Sequence, residues 1–296
     1  MNVEKLLKRS RRGKIKGRLP YILLGICAAA VIISAVGLVR ELYIARQGQS
    51  YYNSLTNEIE TRPRRPAHSK PPATSTPASP ESSAPMPGTS TEPGETPGEE
   101  PVIDEPLWEP YLDFEALAER FPGVVAWIQL EGTKLDYPVM QWTDNYHFLG
   151  HLPDGTRQRS GSVFLDYRNS ADFSDVNTLI YGHESRTGDM FGILKSYRKQ
   201  SFYEENPVIY IYTPERDFEL VLVAGYLVDS GVETPPLSFR DDAAFDAHIA
   251  SIKQRSLFQS DVWASASAGD RIVSLCTCAY DYPNARLVIV GKLVEF

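Results

Sequence analysis

The sequence predicts a mainly β domain, a closed barrel or sandwich of eight short strands with few helices, behind an N-terminal transmembrane helix and a disordered linker. Three observations carry this reading. An uncharged apolar run lies near the N-terminus. A long proline-rich segment without aromatic residues comes later. Beyond it, β-branched and aromatic runs alternate with Gly, Asp, Asn and Pro.

The apolar run is Tyr21 to Val39, 19 residues with no charge. At about 1.5 Å per residue it can cross a hydrocarbon core of roughly 30 Å. Residues 1–20 hold Lys5, Lys8, Arg9, Arg11, Arg12, Lys14, Lys16 and Arg18 against the single acid Glu4, a formal charge of +7; the whole chain is −8, so residues 21–296 carry −15. That acidic bulk argues against a nucleic-acid partner, because phosphate binding needs Lys/Arg patches. The basic head fits the flank of a membrane anchor. The run exceeds the roughly 7–15 apolar residues of a cleavable signal peptide, and Ala28-Ala29-Ala30 sits in its middle. The positive-inside rule then predicts a single-pass protein of the cell membrane: a cytoplasmic tail at 1–20, a signal-anchor at 21–39, and everything after Arg40 extracellular.

Residues 40–60 read as a juxtamembrane helix, with Leu42, Tyr43, Ile44, Tyr51, Tyr52 and Leu55 as its apolar positions. Residues 61–106 form the linker. Thirteen of the 22 prolines fall between Pro63 and Pro110, mixed with Ser, Thr, Gly and Glu. Such a composition cannot bury enough apolar surface to offset its ordering entropy. Extended at about 3.1 Å per residue, it is expected to act as a spacer on the order of 140 Å long.

The folded domain is expected over 107–296. It opens with a short helix, Phe114–Phe121, capped by Asp113 and closed by Pro122-Gly123. Strands are expected at 124–130, 135–140, 162–166, 178–181, 208–212, 218–228, 271–278 and 286–294. Helices are expected at 190–198 and 241–255, the second carrying Phe245, Ile249 and Ile252 at i, i+4 and i+7. No internal repeat is evident. The three cysteines, Cys27, Cys276 and Cys278, do not make a disulfide scaffold, and no Cys/His grouping has zinc-like spacing. His147 and His151 are four apart without an evident third ligand. No metal or cofactor is expected.

Three stretches carry candidate chemistry. In Asn177–His183 a strand runs into Gly182, and His183 sits just past its end. In Ile272–Cys278 an apolar strand ends in Cys278. In Ala285–Val290 the next strand opens with Arg286. A turn containing Asp281, Pro283 and Asn284 joins the last two; Asp281 is expected to be a turn residue. If these strands are antiparallel neighbours, Cys278 and Arg286 share one end of the sheet. A thiol, an imidazole and a guanidinium there suit acyl transfer. A nearby cation favours the thiolate, histidine can protonate a leaving amine, and arginine can stabilise an oxyanion or hold substrate.

These stretches resemble the class B sortases. Ser274-Leu275-Cys276-Thr277-Cys278 resembles the family's Thr-Leu-x-Thr-Cys strand. Thr178–Tyr197 (TLIYGHESRTGDMFGILKSY), Ser162–Asn169 (SVFLDYRN) and Tyr137–Gln141 followed by Asp144-Asn145 and Leu149 are similar to further class B motifs, and the 241–255 helix resembles one that class B members insert between two late strands. The resemblance covers nearly all of 107–296. It implies a closed eight-stranded sortase-type barrel and an extracytoplasmic cysteine transpeptidase of Gram-positive bacteria. Such enzymes cleave a C-terminal sorting signal, such as an Asn-Pro-x-Thr-Asn type, through a thioacyl intermediate. The acyl group then passes to an amine, commonly of a peptidoglycan precursor. By motif position Cys278 is implied as nucleophile, His183 as general acid and Arg286 as stabiliser of substrate and oxyanion. Asn145, Leu149, Tyr181 and Cys276 match pocket-lining positions.

Two departures stand out. Ser274 replaces the motif's threonine, and Cys276 stands where serine is usual. Residues two apart on a strand share a face, so Cys276 and Cys278 are both expected to look into the pocket. The alternatives are a pilus-assembling enzyme with a protein lysine as acceptor, a cysteine hydrolase on the same site, and a binding module that has kept only the fold.

Overall fold

A computed structural model describes residues 3–59, 112–185, 187–260, 266–279 and 281–295. The expected linker at 61–106 and the start of the expected domain at 107–111 lie outside the described residues. Helix α1 spans Val3–Ile59 as one continuous helix. Its segment Tyr21–Arg40 has a mean hydropathy of 2.8 and packs on nothing among the described residues. An apolar stretch of that length with no protein cover fits a membrane span or a signal sequence.

Helix α2, Phe114–Arg120, starts where Asp113 accepts a hydrogen bond from the Ala116 amide at 3.0 Å. Strands follow at Val124–Gln129 (β1), Asp136–Met140 (β2), Val163–Leu165 (β3), Asn177–Tyr181 (β4), Val208–Tyr212 (β5), Asp217–Asp229 (β6), Ile272–Cys278 (β7) and Ala285–Glu295 (β8). They close into a barrel in the order β1-β2-β3-β4-β7-β8-β6-β5. Closure leaves no unpaired sheet edge. Two pairs, β2–β3 and β4–β7, are parallel, and the others are antiparallel.

Alternation along the strands builds two cores. Inward residues such as Trp127, Leu220, Leu275, Leu287 and Ile289 fill the barrel. On the outer face, Val223, Tyr226, Ile272, Cys276, Val288 and Val290 pack beneath α4, Asp242–Gln254, which contributes Phe245, Ile249 and Ile252. Asp241 caps α4 by accepting from the Ala244 amide. This is the helix expected between two late strands.

The expected helix at 190–198 takes a different form. Phe191–Arg198 is a 3-10 segment, and a short helix not foreseen from the sequence, α3 at Gln200–Glu205, follows it. The spacing explains the tighter coil. Phe191, Leu194 and Tyr197 are all fully buried and three apart, and a helix of three residues per turn stacks such positions on one face.

Candidate functional site

The register of three strands assembles the site. Tyr181 of β4 pairs with Cys276 of β7, which pairs with Val288 of β8. Two residues on, Cys278 pairs with Arg286. Two residues past Tyr181, the chain reaches His183. The Gly182 amide donates to the Cys276 carbonyl at 3.1 Å, and the Thr277 hydroxyl donates to the Gly182 carbonyl at 2.8 Å. These bonds extend the β4–β7 register past the strand end. His183, Cys278 and Arg286 therefore follow one another across three neighbouring strands, which lie about 4.8 Å apart. Tyr181, Cys276 and Val288 form a second row beneath them. All six residues line one cleft on the barrel's outer face.

Gly182 makes the approach of His183 possible. A Cβ there would come within 2.5 Å of the Phe191 ring. The Phe191 amide in turn donates to the His183 carbonyl at 3.1 Å. The residue before Phe191, Met190, has φ of 53°, a left-handed turn that starts the 3-10 segment.

The cleft encloses about 290 Å³. Its other walls are Asn145, Phe148, Leu149, Ser160, Ser162 and Phe164 on one side, and Ser230, Glu233, Thr234 and Pro235 on the other. Leu149 is exposed at the lip. Asn145 is committed within the protein: its amide donates to Asp166 at 2.9 Å and accepts from the Tyr167 amide at 3.0 Å. Tyr181 also donates to Asp166, at 3.0 Å.

Asp166 is the residue that sequence reasoning missed. It lies within the Ser162–Asn169 stretch but received no role. Fully buried, it accepts from Asn145, Tyr181 and both the main chain and guanidinium of Arg168. Burial works against its charge, yet these hydrogen bonds, led by Arg168, pull its carboxyl down to about 2. The available signal was an acid closing an apolar strand just before an arginine.

The two thiols differ in surroundings. Cys278 is half-buried at the strand end, whereas Cys276 is buried, with its sulfur 3.7 Å from the Ser274 carbonyl. Burial pushes the Cys276 thiol up to about 12, with the Asp166 charge adding to the effect. Burial lowers the pKa of His183, so the free imidazole is neutral at pH 7.

Asp281 is not among the residues that line the cleft: it forms a two-pronged pair with Arg198, at 2.7 and 2.6 Å. His147 and His151 stack at 4.3 Å between ring centroids, and Trp142 stacks on His147 at 4.7 Å. The His151 ring nitrogen Nδ1 is 2.7 Å from the His147 carbonyl, which gives this pair a packing role.

No family model matches the chain. It is 35% identical over 173 residues to the sortase B of Listeria monocytogenes, an overlap of 58% of this chain and 70% of that protein. Its structure is similar to that of a Staphylococcus aureus sortase B–substrate complex, with a TM-score of 0.58 and 33% identity, covering 62% of this chain and 84% of the other. A sortase B complexed with triglycine aligns with the same TM-score and identity, covering 62% and 85%.

Proposed function

The chain belongs to the class B sortases, which are cysteine transpeptidases, and from that premise we propose that it cleaves a C-terminal sorting signal of secreted proteins and transfers the acyl group to an amine of the cell wall. The single row His183–Cys278–Arg286 across β4, β7 and β8 carries this reading. The neutral His183 takes the Cys278 proton as the sulfur attacks the scissile carbonyl, and the imidazolium so formed gives that proton to the departing amine, leaving a thioacyl enzyme. Arg286 faces the oxyanion and holds the substrate backbone. An amine acceptor then attacks the thioester and releases Cys278. Tyr181, Cys276, Leu149 and Asn145 shape the cleft that receives the signal. The substrate and the triglycine named for the two solved relatives support a peptide donor and an amine acceptor. The apolar Tyr21–Arg40 segment of α1 supports a single-pass anchor, with the barrel outside the cell.

The test offers the full-length chain a library of sorting-signal peptides, with and without an amine acceptor, read by mass spectrometry. The expected result is a thioacyl adduct on Cys278 that moves to the amine when one is supplied. Release to water alone at an undiminished rate in the presence of amine would point to a hydrolase. Adduct formation in Cys278→Ala would overturn the assignment of the nucleophile.

A further inference from the structure

Helix α1 does not stop where its apolar segment stops. Eight residues past Arg40 it reaches Gly48, a rise of about 12 Å, and there it meets the barrel. A Cβ built on Gly48 would lie 2.9 Å from the Ser160 hydroxyl, and Ser160 lines the cleft. One turn on, the Tyr52 hydroxyl donates to the Gly161 carbonyl at 3.0 Å, and its ring packs edge-on against Tyr137 at 4.9 Å. Tyr52 and Leu55 are 4% and 2% exposed, as buried as the barrel's own core. Gln49 lies 2.6 Å from the Asp189 carboxylate, a hydrogen bond when its amide is turned to donate. Asp189 belongs to the connection that starts with His183. The next residue, Met190, donates its amide to the Tyr137 hydroxyl at 3.0 Å. So α1 touches two of the connections that border the cleft, the one through Ser160 and the one after His183.

The other end of residues 60–111 is also anchored. Leu112 is 2% exposed in the same core cluster as Tyr52 and Leu55. The described chain on either side of residues 60–111 thus packs on one barrel. We propose that residues 48–55 of α1 are a fixed part of the catalytic domain, and that the membrane helix runs straight into a strut holding the cleft roughly 12 Å above the bilayer. Residues 61–106 then do not set the barrel's height above the bilayer. This rests on the membrane-anchor reading above.

The test uses the full chain reconstituted in phosphatidylcholine–phosphatidylglycerol vesicles, with a specific protease site placed between residues 61 and 106. After cleavage the barrel is expected to sediment with the vesicles although no covalent link remains. Tyr52→Ala combined with Leu55→Ala is expected to raise the released fraction on the order of tenfold. Tyr52→Phe, which keeps the ring and loses the hydroxyl, should fall between. A parent barrel that leaves the vesicles on cleavage overturns the docking, whatever the variants do. A second arm needs no docking variant: halving the 61–106 segment should leave energy transfer from a barrel label to labelled lipid unchanged. A rise in transfer overturns the strut. An uncleaved chain that fails to sediment sinks the anchor, and the height with it. Docking is then still decided by whether the two cleaved fragments co-elute.

Discussion

One wall of the cleft, formed by β4, β7 and β8, is held by main-chain pairing; on the β2–β3 connection, which forms another wall, Asn145 is held by a carboxylate. His183, Cys278 and Arg286 owe their places to register and to the bonds through Gly182 and Thr277. Asn145 owes its place to Asp166 and the Tyr167 amide. Tyr181 belongs to both, since it sits on β4 and donates to Asp166. The difference teaches where function and fold separate. Side chains on the paired wall can be changed with little cost to the backbone beneath them. Around Asp166, the side chains are themselves part of the scaffold.

The largest expected effect tests the first half of that contrast. Cys278→Ala is expected to lower kcat/KM on the order of 10⁴-fold or more, while the urea midpoint of unfolding stays near that of the parent. A large fall in the midpoint would mean that Cys278 holds the wall as well as working on it.

His183→Gln comes next, with an expected loss of about 10³-fold in kcat/KM. Its pH profile carries more information than its size. Burial lowers the His183 pKa below the ordinary 6.5. A charged imidazole cannot take the Cys278 proton, so kcat/KM falls as pH drops through the His183 pKa. The acidic limb of kcat/KM in the parent is therefore expected below pH 6.5, and His183→Gln should abolish it. An acidic limb persisting unchanged in the variant would assign it to another group.

The paired wall was the more legible of the two in the sequence. Strand ends can be read from apolar runs that stop at Gly, Asp or Pro, and a cysteine or histidine just past such an end stands out. The eight strands, the Asp113 cap and the barrel all follow from such local signals together with the family resemblance. The β4–β7 parallel pairing was not readable, because about 90 residues separate the two strands and only tertiary packing brings them together. The 3-10 form of Phe191–Arg198 was missed because its three buried residues fit a helical period on so short a segment. Asp166 was missed because its role is written in partners from three segments, Asn145, Arg168 and Tyr181. The docking of Tyr52 and Leu55 was hidden for the same reason: composition shows an apolar helix face and not what covers it.

Asp166→Asn tests the second half of the contrast. The amide keeps the shape but loses the charge that Arg168 faces, and it puts a donor where Asn145 and Tyr181 also donate. The expected cost is about 1–3 kcal/mol of stability, with a raised KM for peptide. The pH dependence has a definite sign. The folded pKa of about 2 lies below the ordinary 3.8, so the carboxylate stabilises the fold above pH 4 and that contribution fades as pH falls toward 2. The urea midpoint of the parent should drop over this window relative to the variant. Parallel curves would show that the wall does not depend on the charge.

Cys276→Ser is expected to have the smallest effect, and it sharpens the comparison most finely because Cys276 shares a strand and a face with Cys278. A thiol pushed up to about 12 is fully protonated at neutral pH and makes a poor nucleophile, since the thiolate is the reactive form. Its surroundings are apolar, among Tyr226, Val288 and Val290, and its polar contact is a weak donation to the Ser274 carbonyl. Serine preserves that donor and removes a little apolar volume. The expected change is within about threefold in kcat/KM and about 1 kcal/mol in stability. Alkylation of the native protein at pH 8 with mass mapping adds a direct readout. Label should enter Cys278 and spare Cys276. Equal labelling of the two would mean that the lower row of the cleft opens to solvent, and the distinction between a reactive rim and an inert floor would be lost.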